Sequence, residues 1–242
     1  MSALYILLAG FLLGLRHALD ADHLAAVASL VTRSRSMGET VRTGIAWGIG
    51  HTVTLFLVSG VVIAMGVSFP DRIVGLLEFL VGVMLVLLGG DVLRRLIRER
   101  MHVHGHKHAA EKYHIHFHSH EGETDHSESH HEHQHTNGLP RRALAVGLMH
   151  GLAGSAALLL IAVIDQGSTM GALGYVLLFG LGSMIGMALL SCVIALPLMS
   201  AARAGTVSFK GLNAVIGTGT TALGGFLMYE TAPGVISLLS LA

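Results

Sequence analysis

Five residues able to do chemistry fall within eight positions near the start of the chain: Arg16, His17, Asp20, Asp22 and His23. Imidazole nitrogen and carboxylate oxygen together suit divalent first-row transition metals. On a regular helix at ~100° per residue, His17, Asp20 and His23 lie at about 0°, 300° and 240°, on one face. Asp22 lies at about 140°, away from the others. For Asp22 to join a metal, the helix must unwind locally, or Asp22 must act through another ligand. Broken helices at membrane depth are a known transporter device. An internal ion-pair cluster, with Arg16 balancing an aspartate, accounts for the charges and leaves the histidines unexplained.

These residues sit inside an apolar run from Ala3 to Thr32. About 20 apolar residues are enough to cross a bilayer. A charge at the bilayer centre costs on the order of 2.5 to 3.5 kcal/mol on insertion scales. Charged groups at such depth face a protein interior or a water-filled path, and they usually serve function.

The segment Arg16-His17-Ala18-Leu19-Asp20-Ala21-Asp22-His23, read as His17-x4-Asp22-His23, resembles the signature of the nickel/cobalt transporter family. Gly50-His51-Thr52 resembles the family's Gly-His-Thr element in the following helix. The resemblance runs over roughly Gly10 to Gly60. It implies that the motif lies in a transmembrane helix and is needed for nickel or cobalt transport. Typical members have eight helices, one of them ahead of the motif, whereas this chain has room for six. In that respect it resembles a short branch related to urease-accessory-like membrane proteins and to nickel/cobalt exporters.

Composition bounds the alternatives. The chain has 242 residues, 52% hydrophobic and 12% charged, with 31 glycines and a formal net charge of zero. A soluble domain carries about twice that charge. Many small residues suit a polytopic membrane protein whose helices approach closely. No basic excess points to nucleic acid. The single cysteine, Cys192, excludes a disulfide framework or a Cys-rich metal site and reads as a small core residue. The first apolar run is too long and too charged in its centre for a cleaved signal peptide.

Hydropathy and turn residues predict an all-α polytopic membrane protein of six transmembrane helices. They run from about Ala3 to Thr32, Thr43 to Val67, Ile73 to Leu93, Ala143 to Ile164, Met170 to Met199 and Leu212 to Tyr229. Phe69-Pro70-Asp71 and Asp165-Gln166-Gly167 read as turns, and Thr231-Ala232-Pro233-Gly234 as the end of the last helix. The basic residues Arg33, Arg35, Arg42, Arg94, Arg95, Arg98, Arg100, Arg141, Arg142, Arg203 and Lys210 fall in the odd-numbered loops. That asymmetry places those loops in the cytoplasm and both termini outside. Gly14-Leu15-Arg16-His17 matches Gly147-Leu148-Met149-His150, and Gly48-Ile49-Gly50-His51 matches Gly180-Leu181-Gly182-Ser183, at offsets of 133 and 132. Three helices per repeat require the second copy to be inverted, with the substrate site between the copies. Asp20, Asp22 and His23 align with Ala153, Ser155 and Ala156, so the site is asymmetric. The chain divides into a first repeat over 1–100, a His-rich loop over 101–140 and a second repeat over 141–242.

His51 and His150 are lone histidines in apolar helices at marked repeat positions, and read as ligands or gates. Glu78 is alone in the third helix and is expected to pair with Arg16, both supporting the site. The segment Met101 to His135 holds 13 of the 17 histidines. It has few apolar residues and reads as a disordered, cytoplasmic metal-binding tract.

The function read from these features is secondary transport of Ni2+ and/or Co2+ as substrate across the cytoplasmic (inner) membrane. The metal site comprises His17, Asp20, Asp22, His23, His51 and His150. No phosphate-binding Gly-x4-Gly-Lys-Ser/Thr sequence supplies an energy source. Membrane potential offers ~2.3 kcal/mol per charge per 100 mV, which favours uptake of a divalent cation. Metal binding needs neutral imidazole, so transport is expected to fall in acid. Export, and delivery of nickel to urease or hydrogenase maturation proteins without transport, are the alternatives. No enzymatic activity and no organic cofactor are expected.

Overall fold

The computed structural model describes residues 3–34, 36–65, 70–98, 102–106, 114–118, 140–152 and 169–239. The expected first helix is two helices. α1 spans Ala3–His17 and α2 spans Ala21–Val31, bent by 57° at the break. α1 closes with tight backbone bonds, Leu19 N–H to Arg16 O at 2.8 Å and Asp20 N–H to His17 O at 3.0 Å. Asp20 then turns extended, at φ −62° and ψ 148°, and starts α2. The break falls inside the His17–His23 motif, where the periodicity argument needs one if Asp22 is to face the histidines.

The long helices follow. α3 spans Met37–Met65, α4 Asp71–Arg98, α5 Arg141–Gly151, α6 Thr169–Ala204 and α7 Thr206–Leu239. α3, α4 from Arg72 and α6 are each long and apolar enough to cross a membrane, and α1 with α2 forms a fourth such span if the bent pair counts as one. Several apolar helices of this kind are what a membrane protein requires. Large apolar side chains such as Leu57, Val61, Leu189 and Val193 stand exposed on the outside, where lipid would cover them. Arg98, Ala204 and Leu239 lie beyond the expected ends of their helices, and α3 is described as far as Met65. The second half of the expected fourth helix, with Ala153, Ser155, Ala156 and the turn at Asp165, lies outside the described residues.

The end of the last helix departs from expectation. Thr231-Ala232-Pro233-Gly234 does not stop it, and the helix continues to Leu239 with Pro233 inside it. A proline removes one backbone bond from a helix interior. Flanking hydroxyls make local bonds here, Thr231 Oγ1 to Leu227 O at 2.7 Å and Ser237 Oγ to Gly234 O at 2.8 Å. α6 likewise carries Pro197 within it. Gly205, at φ 120°, makes the turn between α6 and α7, a conformation that favours glycine.

Glycine pairs set the packing. A Cβ on Gly14 of α1 would meet the Phe179 carbonyl of α6, and one on Gly182 of α6 would meet the Phe11 carbonyl of α1. Gly50 of α3 and Gly147 of α5 are related in the same reciprocal way, through the Leu144 and Trp47 carbonyls. α4 and α7 meet through Gly82 against Gly224 and Gly89 against Gly217. Without side chains the backbones come close enough for Thr52 Oγ1 to donate to Gly180 O at 2.9 Å and Ser183 Oγ to Gly14 O at 3.1 Å. The main buried cluster, around Val27, Trp47, Leu85 and Met187, lies among these pairs.

Within the His-rich segment, His102–His106 and His114–His118 form an antiparallel two-stranded ribbon in which His102 pairs with His118, His104 with His116 and His106 with His114. The remainder of that segment, expected to be disordered, lies outside the described residues.

Candidate metal centre

The break between α1 and α2 places three ligands in one spot. His17 ends α1, and Asp22 and His23 open α2. α1 ends there with backbone carbonyls that favour a cation, and α2 starts there with an Asp in its first turn. α3 brings His51 from the middle of its length. α5 ends at Gly151, just after His150. A Cβ on Gly151 would meet the His51 carbonyl, so this close approach of α3 and α5 seats His150 beside His51. The chain has 17 histidines, and the four outside the His-rich loop are these four.

Their rings form one cluster. His23 lies at the hub, with ring centroids 4.2 Å from His17, 4.1 Å from His150 and 5.2 Å from His51. All four side chains are buried. Asp22 is 31% exposed, and its Oδ1 accepts from His23 Nδ1 at 2.9 Å while its Oδ2 faces His150 Nε2 at 3.1 Å. Asp20 is 55% exposed and accepts from His17 Nδ1 at 2.7 Å.

Several ring nitrogens have nothing to bond. His23 Nε2, His150 Nδ1 and both nitrogens of His51 are buried with no hydrogen-bond partner among the described residues. An unsatisfied buried polar atom costs on the order of 1–3 kcal/mol. A cation bound by the one lone pair that each neutral ring carries would remove part of that cost. The ligand atoms of His17, His23 and His51 lie within 4.8 Å of one another, as do those of Asp22, His23 and His150.

The 201 aligned residues are 34% identical to the urease accessory protein UreH of Bacillus sp. (strain TB-90), covering 83% of this chain and 80% of that protein. No family model and no solved structure matches. The chain belongs to the nickel/cobalt transporter family.

His17, Asp22 and His23 come together, and His51 of the Gly-His-Thr element joins them. His150 also joins. Asp20 is set apart, holding His17 by its outer nitrogen. The expected Arg16–Glu78 pair is a correction. Among the described residues no ion pair joins them. α1 packs chiefly on α6 and α4 on α7, so the two side chains belong to different helix pairs.

Sequence reasoning passed over Trp47. Its ring centroid lies 5.4 Å from His23 and 5.6 Å from His150, and it is fully buried. The signal was present, since Trp47 precedes His51 by four residues and so shares its helix face. It also passed over Asp91. Arg33 Nη2 donates to both Asp91 oxygens at 2.8 Å, Arg142 Nη2 lies 3.1 Å from Oδ2 and Arg95 Nε 3.4 Å. This cluster ties the end of α2 to α4 and α5, well away from the motif in sequence.

Proposed function

We propose that this protein is a secondary transporter that takes up Ni2+ and/or Co2+ across the cytoplasmic membrane. The ion binds where α1 breaks. The single observation that carries this reading is the meeting, in a membrane-type helix bundle, of all four non-loop histidines with Asp22, several of their ring nitrogens lacking partners. Imidazole-rich sets suit Ni2+ and Co2+ better than hard cations such as Mg2+. His17, Asp22, His23, His51 and His150 contact the ion, and Asp20 orients His17.

The reading includes six spans in two inverted three-helix repeats of the short branch, with both termini outside and the His-rich loop in the cytoplasm. The glycine pairs support it. Under the repeat alignment Gly14 corresponds to Gly147 and Gly50 to Gly182. The observed contacts, Gly14 region with Gly182 region and Gly50 with Gly147, exchange under that correspondence, as an approximate two-fold axis in the membrane plane requires. The Asp91 cluster gathers arginines of the first and third loops at one end of the bundle, in line with their sharing one side.

The test is radioactive Ni2+ flux in proteoliposomes of purified protein, in both directions, with and without a proton gradient. Saturable inward flux driven by an inside-negative potential is expected. His17→Ala or His23→Ala abolishes it while the protein still inserts, and normal flux in either variant defeats the site assignment. The name of the relative favours one second reading, a membrane accessory protein that hands nickel to urease maturation. In that case the protein binds nickel and moves none.

A further inference from the structure

We propose that the centre is two overlapping stations for one divalent ion, with His23 common to both. The inference rests on the metal reading above and adds a path inside it. The ligand atoms fall into two sets within 4.8 Å, His17 with His23 and His51, and Asp22 with His23 and His150. Ligands on opposite sides of one ion at ~2.1 Å are about 4.2 Å apart, so each set closes on one ion with small movements of its side chains. By ring centroid, pairs within the sets are 4.1 to 5.4 Å apart, while His51 and His150, which belong to different sets, are 5.8 Å apart.

The two stations differ in chemistry. The outer one has a carboxylate, Asp22, which is 31% exposed and within reach of a hydrated ion. The inner one is three buried imidazoles, with no oxygen ligand to satisfy a hard cation. An ion arriving with its waters meets Asp22 first. It exchanges water for His23 and His150, then exchanges Asp22 and His150 for His17 and His51. His23 holds it throughout, so no step leaves the ion without a protein ligand. Sharing His23 also makes the stations exclusive, one ion at a time. Selection against Mg2+ and Ca2+ then belongs to the inner station.

Trp47, the chain's one tryptophan, is a built-in reporter. It packs beside the rings of His23 and His150, and a bound Ni2+ quenches indole fluorescence. The experiment uses the full-length protein in lipid nanodiscs, with free Ni2+ fixed by a chelator buffer so that the His-rich loop cannot change it. His51→Gln should leave the outer station and His150→Gln the inner one. Each single variant should still be quenched, with a midpoint within about tenfold of the parent, because the other station keeps all three of its ligands. The double variant, and His23→Gln alone, should lose the transition. Asp22→Asn should weaken His51→Gln, which loses a ligand together with the carboxylate behind His23, by about tenfold or more beyond its effect on His150→Gln, which loses only that carboxylate. Ni2+ flux in proteoliposomes should collapse in both single variants although binding persists.

If either single variant loses binding as fully as His23→Gln, the five residues act as one set and the stations are wrong. They are equally wrong if Asp22→Asn weakens both single variants alike, or if either keeps full flux. If the parent protein is not quenched at any free Ni2+, the metal reading itself fails. An unshifted Trp47 emission maximum and a single gel-filtration peak identify folded variants, and Asn replaces Gln where Gln does not fold.

Discussion

Asp20 stands at the N-cap of α2, yet its carboxylate makes no cap bond and turns back to His17 Nδ1 at 2.7 Å. A carboxylate on one imidazole nitrogen fixes the ring and raises the basicity of the other. Asp20→Ala should therefore weaken Ni2+ binding by about 10- to 100-fold in the His150→Gln background, where only the station holding His17 remains, and on its own should lower transport without the complete loss predicted for His17→Ala. The midpoint of Trp47 quenching measures the first and Ni2+ flux the second. An unchanged midpoint on adding Asp20→Ala to His150→Gln would return Asp20 to a surface role. The ligand types were legible in the sequence because charge inside an apolar run is costly. The division of labour between Asp20 and Asp22 was not. It depends on a break whose place and angle no helical period encodes. The Arg16–Glu78 pair failed for a related reason: charge complementarity names partners, and helix packing decides who meets.

At the scale of elements, close approach and not bulk hydrophobicity positions the ligands. Gly50 and Gly60 both lie in α3. A Cβ at Gly50 would press on the Leu144 carbonyl and the Leu148 amide of α5, whereas one at Gly60 meets nothing within 4 Å. Gly50→Ala should then destabilise the fold by about 1–3 kcal/mol, the usual range for overpacking. Gly60→Ala should raise stability by roughly 0.5–1 kcal/mol through better helix propensity. Thermal unfolding in detergent reads both signs, and equal shifts would remove the close-packing argument. The helices themselves were legible from apolar length. The end at Pro233 was not, because proline and glycine mark turns in water-exposed chains and are tolerated within apolar membrane helices. Asp91 holds Arg33, Arg95 and Arg142, brought together from three parts of the chain. Asp91→Asn leaves three cations together at one helix end. We predict a lower unfolding temperature for it that salt partly restores, as screening of like charge requires.

The molecule as a whole pairs a rigid centre with a long histidine-bearing connection between α4 and α5. Its histidines recur at alternate positions, as in His102, His104, His106 and His114, His116, His118. A tract offering many interchangeable ligand sets binds divalent ions in the general affinity order and selects poorly among them. Selectivity then rests on the buried imidazoles near the break of α1. Removing Met101 to His135 should leave selective Ni2+ flux, with a weaker response at low metal. The shortened chain still closes. Residues 99, 100 and 136–139 remain between the end of α4 and Pro140, and six residues extended at ~3.3 Å each span about 20 Å. The 3.1 Å contact of Arg142 with Asp91 keeps α4 and α5 together at that end without the loop. Flux of the deleted protein, compared with Zn2+ and Mg2+ as competitors, is the measurement. Retained flux with unchanged competition places selectivity in the bundle. A deleted protein that inserts and folds but moves no metal would put the loop itself on the path.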